Sequence, residues 1–208
     1  MDDTSLRSNA DVIVDVVIDL LETGGYDAVR LREVARRSHL SLRTIYELFG
    51  SRDELIVTAL ERWMAENTYG DLAPAGTDET VYDGIMRTLR YVFEPWERHP
   101  LLLEAYHRAI TGPGGERLGE QGIRAVGPVG MALIAGGDPS YRADVGLIMA
   151  NMIYATLGQF ASGALEVTEI LPKLERAVYR LTADNESAAA LALERRAEAM
   201  DGQDARQS

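Results

Sequence analysis

Residues 31–55 read LREVARRSHLSLRTIYELFGSRDEL and contain the signals that decide the fold. Two stretches with helical spacing of apolar residues, 31–38 and 42–49, are separated by only three residues. Ser41 and Ser51 stand where N-cap residues are expected, and the acids after Ser51 favour the positive end of a helix dipole. The spacing predicts two short helices in tandem, followed by a longer helix that begins at about residue 51.

Two short helices joined this tightly make a poor core, but they fit a helix-turn-helix. Ala35 is small where the two helices cross, and Val34, Leu40 and Ile45 are predicted to face inward. A helix of about eight residues fits the major groove of DNA, where its first turn reaches base edges and phosphates. The pattern therefore indicates a DNA-binding unit.

The charge distribution supports this interpretation, although the formal net charge of −12 at first argues against a nucleic-acid partner. Between Arg30 and Arg52, six arginines stand against Glu33 and Glu47, a local charge of +4 that leaves −16 for the remaining chain. An acidic body with one basic patch binds phosphate at that patch. The alternative for these arginines is an ordinary solvated face.

Composition excludes several classes of protein. Cysteine is absent, so the chain has neither a disulfide framework nor a thiolate metal site. No apolar run approaches the ~20 residues that span a bilayer, and the N-terminus lacks a signal-peptide layout. The chain also lacks the nucleophile-elbow, zinc-protease and phosphate-loop motifs. We therefore expect a cytoplasmic protein with no membrane partner, no catalytic or metal-binding residues and no cofactor.

Helical periodicity with turn residues as punctuation predicts an all-α fold. The clearest break in composition lies at 69–79. The predicted organisation is an N-terminal helix-turn-helix DNA-binding domain at 1–50, a connecting fourth helix at 51–69, a C-terminal ligand-binding and dimerisation domain at 70–183, and a flexible or frayed helical tail at 184–208.

Two further expectations concern the helices inside these domains. The first helix is predicted over about 9–23, capped by Ser8 or Asn9. The glycine-rich stretch 111–122 is predicted to be a disordered connector rather than a lid, followed by a helix within about 120–135 that is interrupted at Pro128.

The segment REVARRSHLSLRTIYELFGSRDEL resembles the DNA-binding domain of the TetR family of one-component transcriptional regulators, and the likeness covers about residues 9–65. It implies a three-helix N-terminal domain that binds a double-stranded operator. It also implies a helical C-terminal domain that binds a ligand and forms a homodimer. The residues that this reading places at the DNA are Arg30, Arg32, Ser41, Leu42, Arg43, Thr44, Tyr46 and Arg52.

Three positions need comment against the family pattern. Arg52 stands where the family usually has lysine, which implies a phosphate contact at the start of the fourth helix. Arg30 occupies the place of the usual Thr or Ser cap and cannot cap a helix, although its side chain has the reach for a phosphate. His39 replaces the usual glycine of the turn, at a modest energetic cost if its φ is positive.

Two C-terminal stretches, 98–110 and 165–188, resemble the KstR-like branch of that family. This resemblance implies a large, mostly apolar effector such as a steroid or another acyl-CoA thioester. Met, aromatic and leucine side chains are expected to line its cavity, with the tyrosine hydroxyls and Asn151 orienting the ligand. The candidates, each of which has ordinary core as its alternative, are Met86, Tyr91, Phe93, Trp96, Leu102, Tyr106, Met149, Asn151, Met152, Tyr154 and Phe160.

Together these features predict a repressor that binds a palindromic operator as a homodimer, held together by a four-helix bundle of the last two main helices of each chain. An effector that prefers the DNA-incompetent state releases it. Within this class the alternatives are a drug-responsive efflux regulator or an activator. Outside it, the alternative is a helical lipid-binding protein or enzyme without DNA affinity.

Overall fold

The computed structural model describes residues 8–70, 72–74, 76 and 79–183, and within them the chain forms nine α-helices and no β-strand. The all-α prediction is confirmed, whereas the predicted tail at 184–208 lies outside the described residues. The helices are α1 (Asn9–Gly24), α2 (Leu31–Ser38), α3 (Leu42–Phe49), α4 (Arg52–Asn67), α5 (Val81–Arg98), α6 (Pro100–Ile110), α7 (Glu116–Leu133), α8 (Pro139–Ala161) and α9 (Ile170–Thr182).

Helix α1 begins at a capping box. The Ser8 hydroxyl accepts a hydrogen bond from the Asp11 backbone N–H at 3.1 Å, and the Asp11 carboxylate accepts one from the Ser8 backbone N–H at 3.2 Å. Of the two predicted caps, Ser8 is therefore the one used. The apolar stripe of α1 packs on α4, where Leu55, Ile56 and Leu60 are fully buried. These contacts form the core of the N-terminal region.

Helices α2 and α3 have the predicted bounds, and their caps explain why. The Ser41 hydroxyl accepts a hydrogen bond from the backbone N–H of Thr44 at 3.0 Å, whereas Arg30 precedes α2 without a side-chain cap bond. His39 has φ of +57° and closes α2 in the left-handed conformation. Ile45 is buried beneath α3, which fixes the short helix with its opposite face outward.

Five helices build the C-terminal region. Helix α5 packs against α7 and α9, and α8 packs against α9 and α6. Ile170, Leu174 and Val178 of α9 form a buried stripe at the spacing i, i+4, i+8. The Tyr82 hydroxyl donates to Glu175 at 2.8 Å and ties α5 to α9. None of the described helices is long and apolar enough to cross a membrane.

Helix α7 corrects two predictions. It starts at Glu116 and runs without a break through Pro128, so the disordered connector at 111–122 and the interruption were both wrong. Tertiary contacts override the low helix propensity of its glycines. Leu118 is fully buried, and Arg117 forms ion pairs with Glu54 and Glu61 of α4. These anchors hold the helix although local propensity alone disfavours it.

Candidate DNA-binding surface and effector cavity

The exposed large apolar side chains of the described N-terminal region lie on α3. Arg43 is 87% exposed and its Nε donates to the Glu47 carboxylate at 2.7 Å. Tyr46 is 53% exposed, and Leu42 lies one turn before it. The Ser41 and Thr44 hydroxyls lie 2.9 Å apart and engage each other at the cap. The surface that α3 offers to a groove is thus formed by Leu42, Arg43 and Tyr46.

Helix α2 supplies basic charge beside this surface. Arg30 and Arg32 are exposed. Arg36 donates to Glu33 at 2.6 and 2.9 Å, and Arg37 donates to Glu33 at 2.7 Å. Hydrogen bonds from Arg36 and then Arg37 hold the pKa of Glu33 at about 2. The carboxylate therefore stays ionised at neutral pH and offsets part of the arginine charge on the outer side of α2.

Arg52 is turned inward, which corrects the predicted phosphate contact. Its Nε donates to the Val29 carbonyl and its Nη2 to the Tyr26 carbonyl, both at 2.5 Å. Its guanidinium carbon lies 4.5 Å from the centroid of the Tyr26 ring. Because two of its three nitrogens are committed to backbone carbonyls, Arg52 holds the chain between α1 and α2 in place instead of standing free for DNA.

The same tyrosine is held by an arginine of the C-terminal region. Arg108 of α6 lies 4.2 Å from the Tyr26 ring centroid and donates to the Asp27 carboxylate at 2.8 and 3.1 Å. These bonds lower the pKa of Asp27. The Tyr26 hydroxyl donates to Asp53 at 3.1 Å. We call Tyr26, Asp27, Arg52 and Arg108 the Tyr26 cluster; it joins residues 81 positions apart, and no local sequence signal pairs them.

A cavity of about 610 Å³ lies between α5, α6, α7 and α8. No charged side chain among the described residues borders it. Its walls are formed by Tyr69; Ile85, Thr88, Leu89, Val92, Phe93 and Trp96 of α5; Leu103, Tyr106 and Ile110 of α6; Gly119, Gly122, Ile123, Val126, Gly127, Gly130, Met131 and Leu133 of α7; Ile134; and Val145, Gly146, Met149, Ala150, Ile153, Tyr154 and Leu157 of α8. This volume and lining suit a drug-sized apolar ligand.

The structure brings five of the predicted ligand residues together at this cavity, namely Phe93, Trp96, Tyr106, Met149 and Tyr154. The other six do not border it, which corrects their assignment. Met86 and Leu102 are buried in the core beside it. Met152 faces a groove between α8 and α9.

Helix periodicity accounts for the remaining three. Tyr91 lies on the side of α5 away from the cavity-lining stripe, and Phe160 lies at the last turn of α8, beyond the wall. Asn151 is exposed and donates to the Leu147 carbonyl of its own helix at 2.8 Å. It therefore cannot orient a ligand in the cavity.

The sequence pattern did not identify α7 as part of the cavity wall, because its glycines indicate a loop. Gly119, Gly122, Val126 and Gly130 are spaced by three and four residues, which places them on one face of a helix. That spacing was the available signal. A Cβ atom built at Gly130 meets nothing within 4 Å, so the glycine widens the cavity.

Two of the polar residues that line the cavity are largely buried tyrosines, Tyr69 and Tyr106. Burial raises the pKa of Tyr69 to about 12, and burial together with the nearby Tyr69 raises the pKa of Tyr106 further. Both groups are neutral at physiological pH. Gly122 leaves room for Tyr69, whose hydroxyl oxygen lies 3.1 Å from the position of a Cβ at that glycine. The cavity thus offers neutral hydrogen-bonding groups in an apolar wall.

Helix α6 stands between the cavity and the N-terminal region. One face carries Leu103, Tyr106 and Ile110 into the cavity wall, and another carries Arg108 to the Tyr26 cluster. A second connection runs from the cavity through Trp96, whose ring centroid is 4.4 Å from that of Trp63 in α4. Packed contacts therefore join the cavity wall to α4 and to the chain that precedes α2.

Both regions match models of known protein families. Residues 13–59 match the model described as bacterial regulatory proteins, tetR family, and residues 78–181 match the tetracyclin repressor-like C-terminal domain. The chain is 26% identical over 185 residues to the HTH-type transcriptional repressor KstR of Mycobacterium tuberculosis, covering 85% of this chain and 81% of that protein. It is 25% identical over 179 residues to KstR of Mycolicibacterium smegmatis, covering 84% and 87%.

Solved structures share the fold. A TetR transcriptional regulator from a Rhodococcus species superposes with a TM-score of 0.64 at 16% identity, covering 88% of this chain and 99% of that one. A TetR-like regulator from the same genus superposes with a TM-score of 0.57 at 18% identity, covering 83% and 94%. At these identities the likeness concerns the fold alone.

Proposed function

Because the chain belongs to the TetR family of bacterial transcriptional regulators, we propose that it is a repressor that binds a palindromic operator as a homodimer and leaves it when an apolar effector fills the C-terminal cavity. Membership of a family of regulators confirms the predictions of a regulator and of a chain that is not an enzyme. Repression and cytoplasmic location are part of the proposal, and the name of the KstR relatives supports the former.

The outer face of α3 is the observation that carries the proposal. The helix is fixed by buried Ile45 beneath it and presents Arg43, Tyr46 and Leu42 above, with Arg30 and Arg32 alongside. An eight-residue helix with this surface fits the major groove, and the neighbouring arginines suit its phosphates. We assign DNA contacts to these five residues, whereas Ser41 and Thr44 orient the start of the helix.

Dimerisation is proposed through α8 and α9. Leu147 and Tyr154 of α8 and Tyr179 of α9 are 55–64% exposed, an unusual load of large apolar side chains for a solvent face. A second copy that packs on these helices forms a four-helix bundle. It also places two α3 helices against successive major grooves, about 34–36 Å apart on a palindromic site.

The effector is proposed to be a large ligand whose buried part is uncharged. A carboxylate or phosphate inside a cavity bordered by neutral, mostly apolar residues lacks a cationic partner and is strongly disfavoured. The body of a steroid or an acyl chain suits the cavity, with the Tyr69 and Tyr106 hydroxyls bonding a carbonyl or hydroxyl group. The charged coenzyme of an acyl-CoA thioester lies outside the cavity in this account.

In this proposal, the dimer leaves the operator because an effector bound in the cavity moves α6. The helix supplies both the cavity wall at Tyr106 and the arginine that holds Asp27. An effector that favours another position of α6 shifts the dimer toward a spacing that does not fit the operator. By linkage, operator DNA must weaken effector binding by the same factor.

The test is binding of the full-length protein to duplex DNA from its own upstream region, with sedimentation to give the stoichiometry. We expect two protomers per site, and replacement of Arg43 or Tyr46 by Ala is expected to weaken specific binding about tenfold while helix content is retained. Binding that both variants preserve contradicts the assignment of α3. A protein that binds long apolar ligands but no upstream fragment at low salt is a lipid carrier instead.

A further inference from the structure

The exposed face of α3 has an unusual composition for a surface that reads DNA. It offers one arginine, Arg43, and two large apolar side chains, Leu42 and Tyr46, which are 37% and 53% exposed. The helix contains no Asn or Gln, the side chains that pair with adenine. Its chemistry therefore favours a restricted set of bases.

An ion pair with Glu47 orients the Arg43 side chain in the free protein. The guanidinium Nε donates to Glu47 one turn later, at 2.7 Å, which leaves the two terminal nitrogens directed away from that carboxylate. A pair of N–H groups on adjacent terminal nitrogens matches O6 and N7 of guanine in the major groove. The ion pair thus presents a fork that suits one guanine.

Leu42 and Tyr46 lie next to each other beside Arg43. They are four residues apart, so they are neighbours on the helix surface. Among the bases, only thymine presents a methyl group in the major groove. The flanking Arg30 and Arg32 point to a phosphate-bearing partner for this apolar pair rather than to an apolar protein surface.

We propose that each α3 recognises a guanine through Arg43 and the methyl groups of adjacent thymines through Leu42 and Tyr46. This specificity rests on the operator binding proposed above. It predicts that the half-site contains a guanine next to one or two thymines, and that the thymine methyls themselves contribute to affinity.

The test begins with selection of binding sites from a random duplex library by the full-length protein. The selected site is then synthesised with uracil in place of each thymine, which removes only the methyl group. Loss of one buried methyl contact is worth about a fourfold change in affinity. Replacing the guanine with 7-deazaguanine removes the N7 acceptor and is expected to weaken binding roughly tenfold.

Variants assign the effects to side chains. With Leu42→Ala or Tyr46→Ala, measured at low salt where residual binding persists, the uracil effect disappears at the thymine that the side chain contacts. Leu48→Ala is the matched control, since it shortens another exposed leucine (48% exposed) on a different side of α3 and leaves that uracil effect unchanged. With Arg43→Ala, the 7-deazaguanine effect is expected to vanish.

Three results overturn the inference. The first is a selected half-site without thymine, and the second is a uracil-containing site that binds as tightly as the thymine form. The third is a uracil effect that persists in both the Leu42 and Tyr46 variants. None of these three results contradicts the proposal that the protein binds an operator. A library that yields no enriched site at low salt overturns the proposed function as well.

Discussion

The N-terminal and C-terminal regions of this chain are packed differently. In the first, the largest core side chains are less than 2% exposed, namely Ile13, Leu21, Ile45, Leu55, Ile56 and Leu60. In the second, Leu102, Leu118 and Ile170 are buried to the same degree, but four of the apolar residues that border the cavity retain 6–9% exposure, namely Leu89, Phe93, Met149 and Leu157. A ligand that enters the second region fills space that the protein leaves open at the cavity.

This difference in packing suits the two tasks proposed for the chain, which are DNA binding and ligand binding. A DNA-reading helix must be held in a fixed orientation, and close packing provides this. A ligand-binding region needs open space, and glycines of α7 leave it beside the cavity, where a Cβ at Gly127 or Gly130 meets nothing within 4 Å. The Tyr26 cluster and the Trp63–Trp96 contact join the two regions, and they are the contacts through which the proposed effector response would reach the N-terminal helices.

The largest expected effect compares one leucine from each region. Leu21→Ala empties a fully packed site and is expected to cost about 3–4 kcal/mol. Leu89→Ala removes a side chain that already borders open space, so the expected cost is smaller, about 1–2 kcal/mol. Urea unfolding of both variants measures these free energies. Equal costs would show that the cavity wall is as tightly packed as the N-terminal core.

Gly115→Ala tests the packing at the start of α7. Here the C-terminal region is tightly packed, in contrast to the cavity wall. A Cβ there lies 2.2 Å from the Ala109 carbonyl oxygen and 2.7 Å from the Ile110 carbonyl carbon, both backbone atoms that cannot rotate away. We expect a loss of about 2 kcal/mol, read from thermal or urea unfolding. A neutral substitution at this position would refute the close anchoring of α7.

A pH titration tests how dry the cavity is. The pKa of Tyr69 is raised from 10 to about 12 by burial, so the unfolded chain ionises first and stability falls as pH rises through this window. Between pH 8 and pH 11, the ionisation of Tyr69 alone is expected to lower the free energy of unfolding of the wild type by about 1.4 kcal/mol. Tyr69→Phe should lack this share of the loss. Parallel pH profiles of the two proteins would mean that water reaches the hydroxyl.

The smallest effect is expected at the cavity wall. Gly130→Ala adds a methyl group where nothing lies within 4 Å and removes glycine from the interior of a helix. It is expected to raise the free energy of unfolding by about 0.5–1 kcal/mol. The expected change in the free energy of unfolding is therefore opposite in sign to that of Gly115→Ala at the start of the same helix. Destabilisation by Gly130→Ala would argue that this wall is already in contact with other atoms.

The N-terminal elements were predictable from local signals. Ser41 and Ser51 act as caps and a glycine follows α3, so the bounds of α2 and α3 follow from nearby residues. The inward turn of Arg52 did not follow, because its partners are two carbonyls 23 and 26 positions away. Periodicity identified buried faces there without revealing what an individual polar side chain contacts.

The C-terminal region was predictable only in outline. Five of the eleven proposed ligand residues border the cavity, because residue type alone does not separate a wall from a core. Helix α7 was read as a connector since glycine disfavours helices locally. Its stability comes from Arg117, which contacts Glu61 on another helix, and from burial of Leu118. Such contacts are set by the tertiary fold and not by neighbouring sequence.

Hydrogen–deuterium exchange of the free protein tests the contrast between the regions most directly. The account predicts that amides of α7 (Glu116–Leu133) exchange at least tenfold faster than the most protected amides of α4 (Arg52–Asn67), because α7 opens locally around the cavity while α4 exchanges only through global unfolding. Equal protection of the two helices would contradict it, because the C-terminal region would then be as rigid as the DNA-reading one.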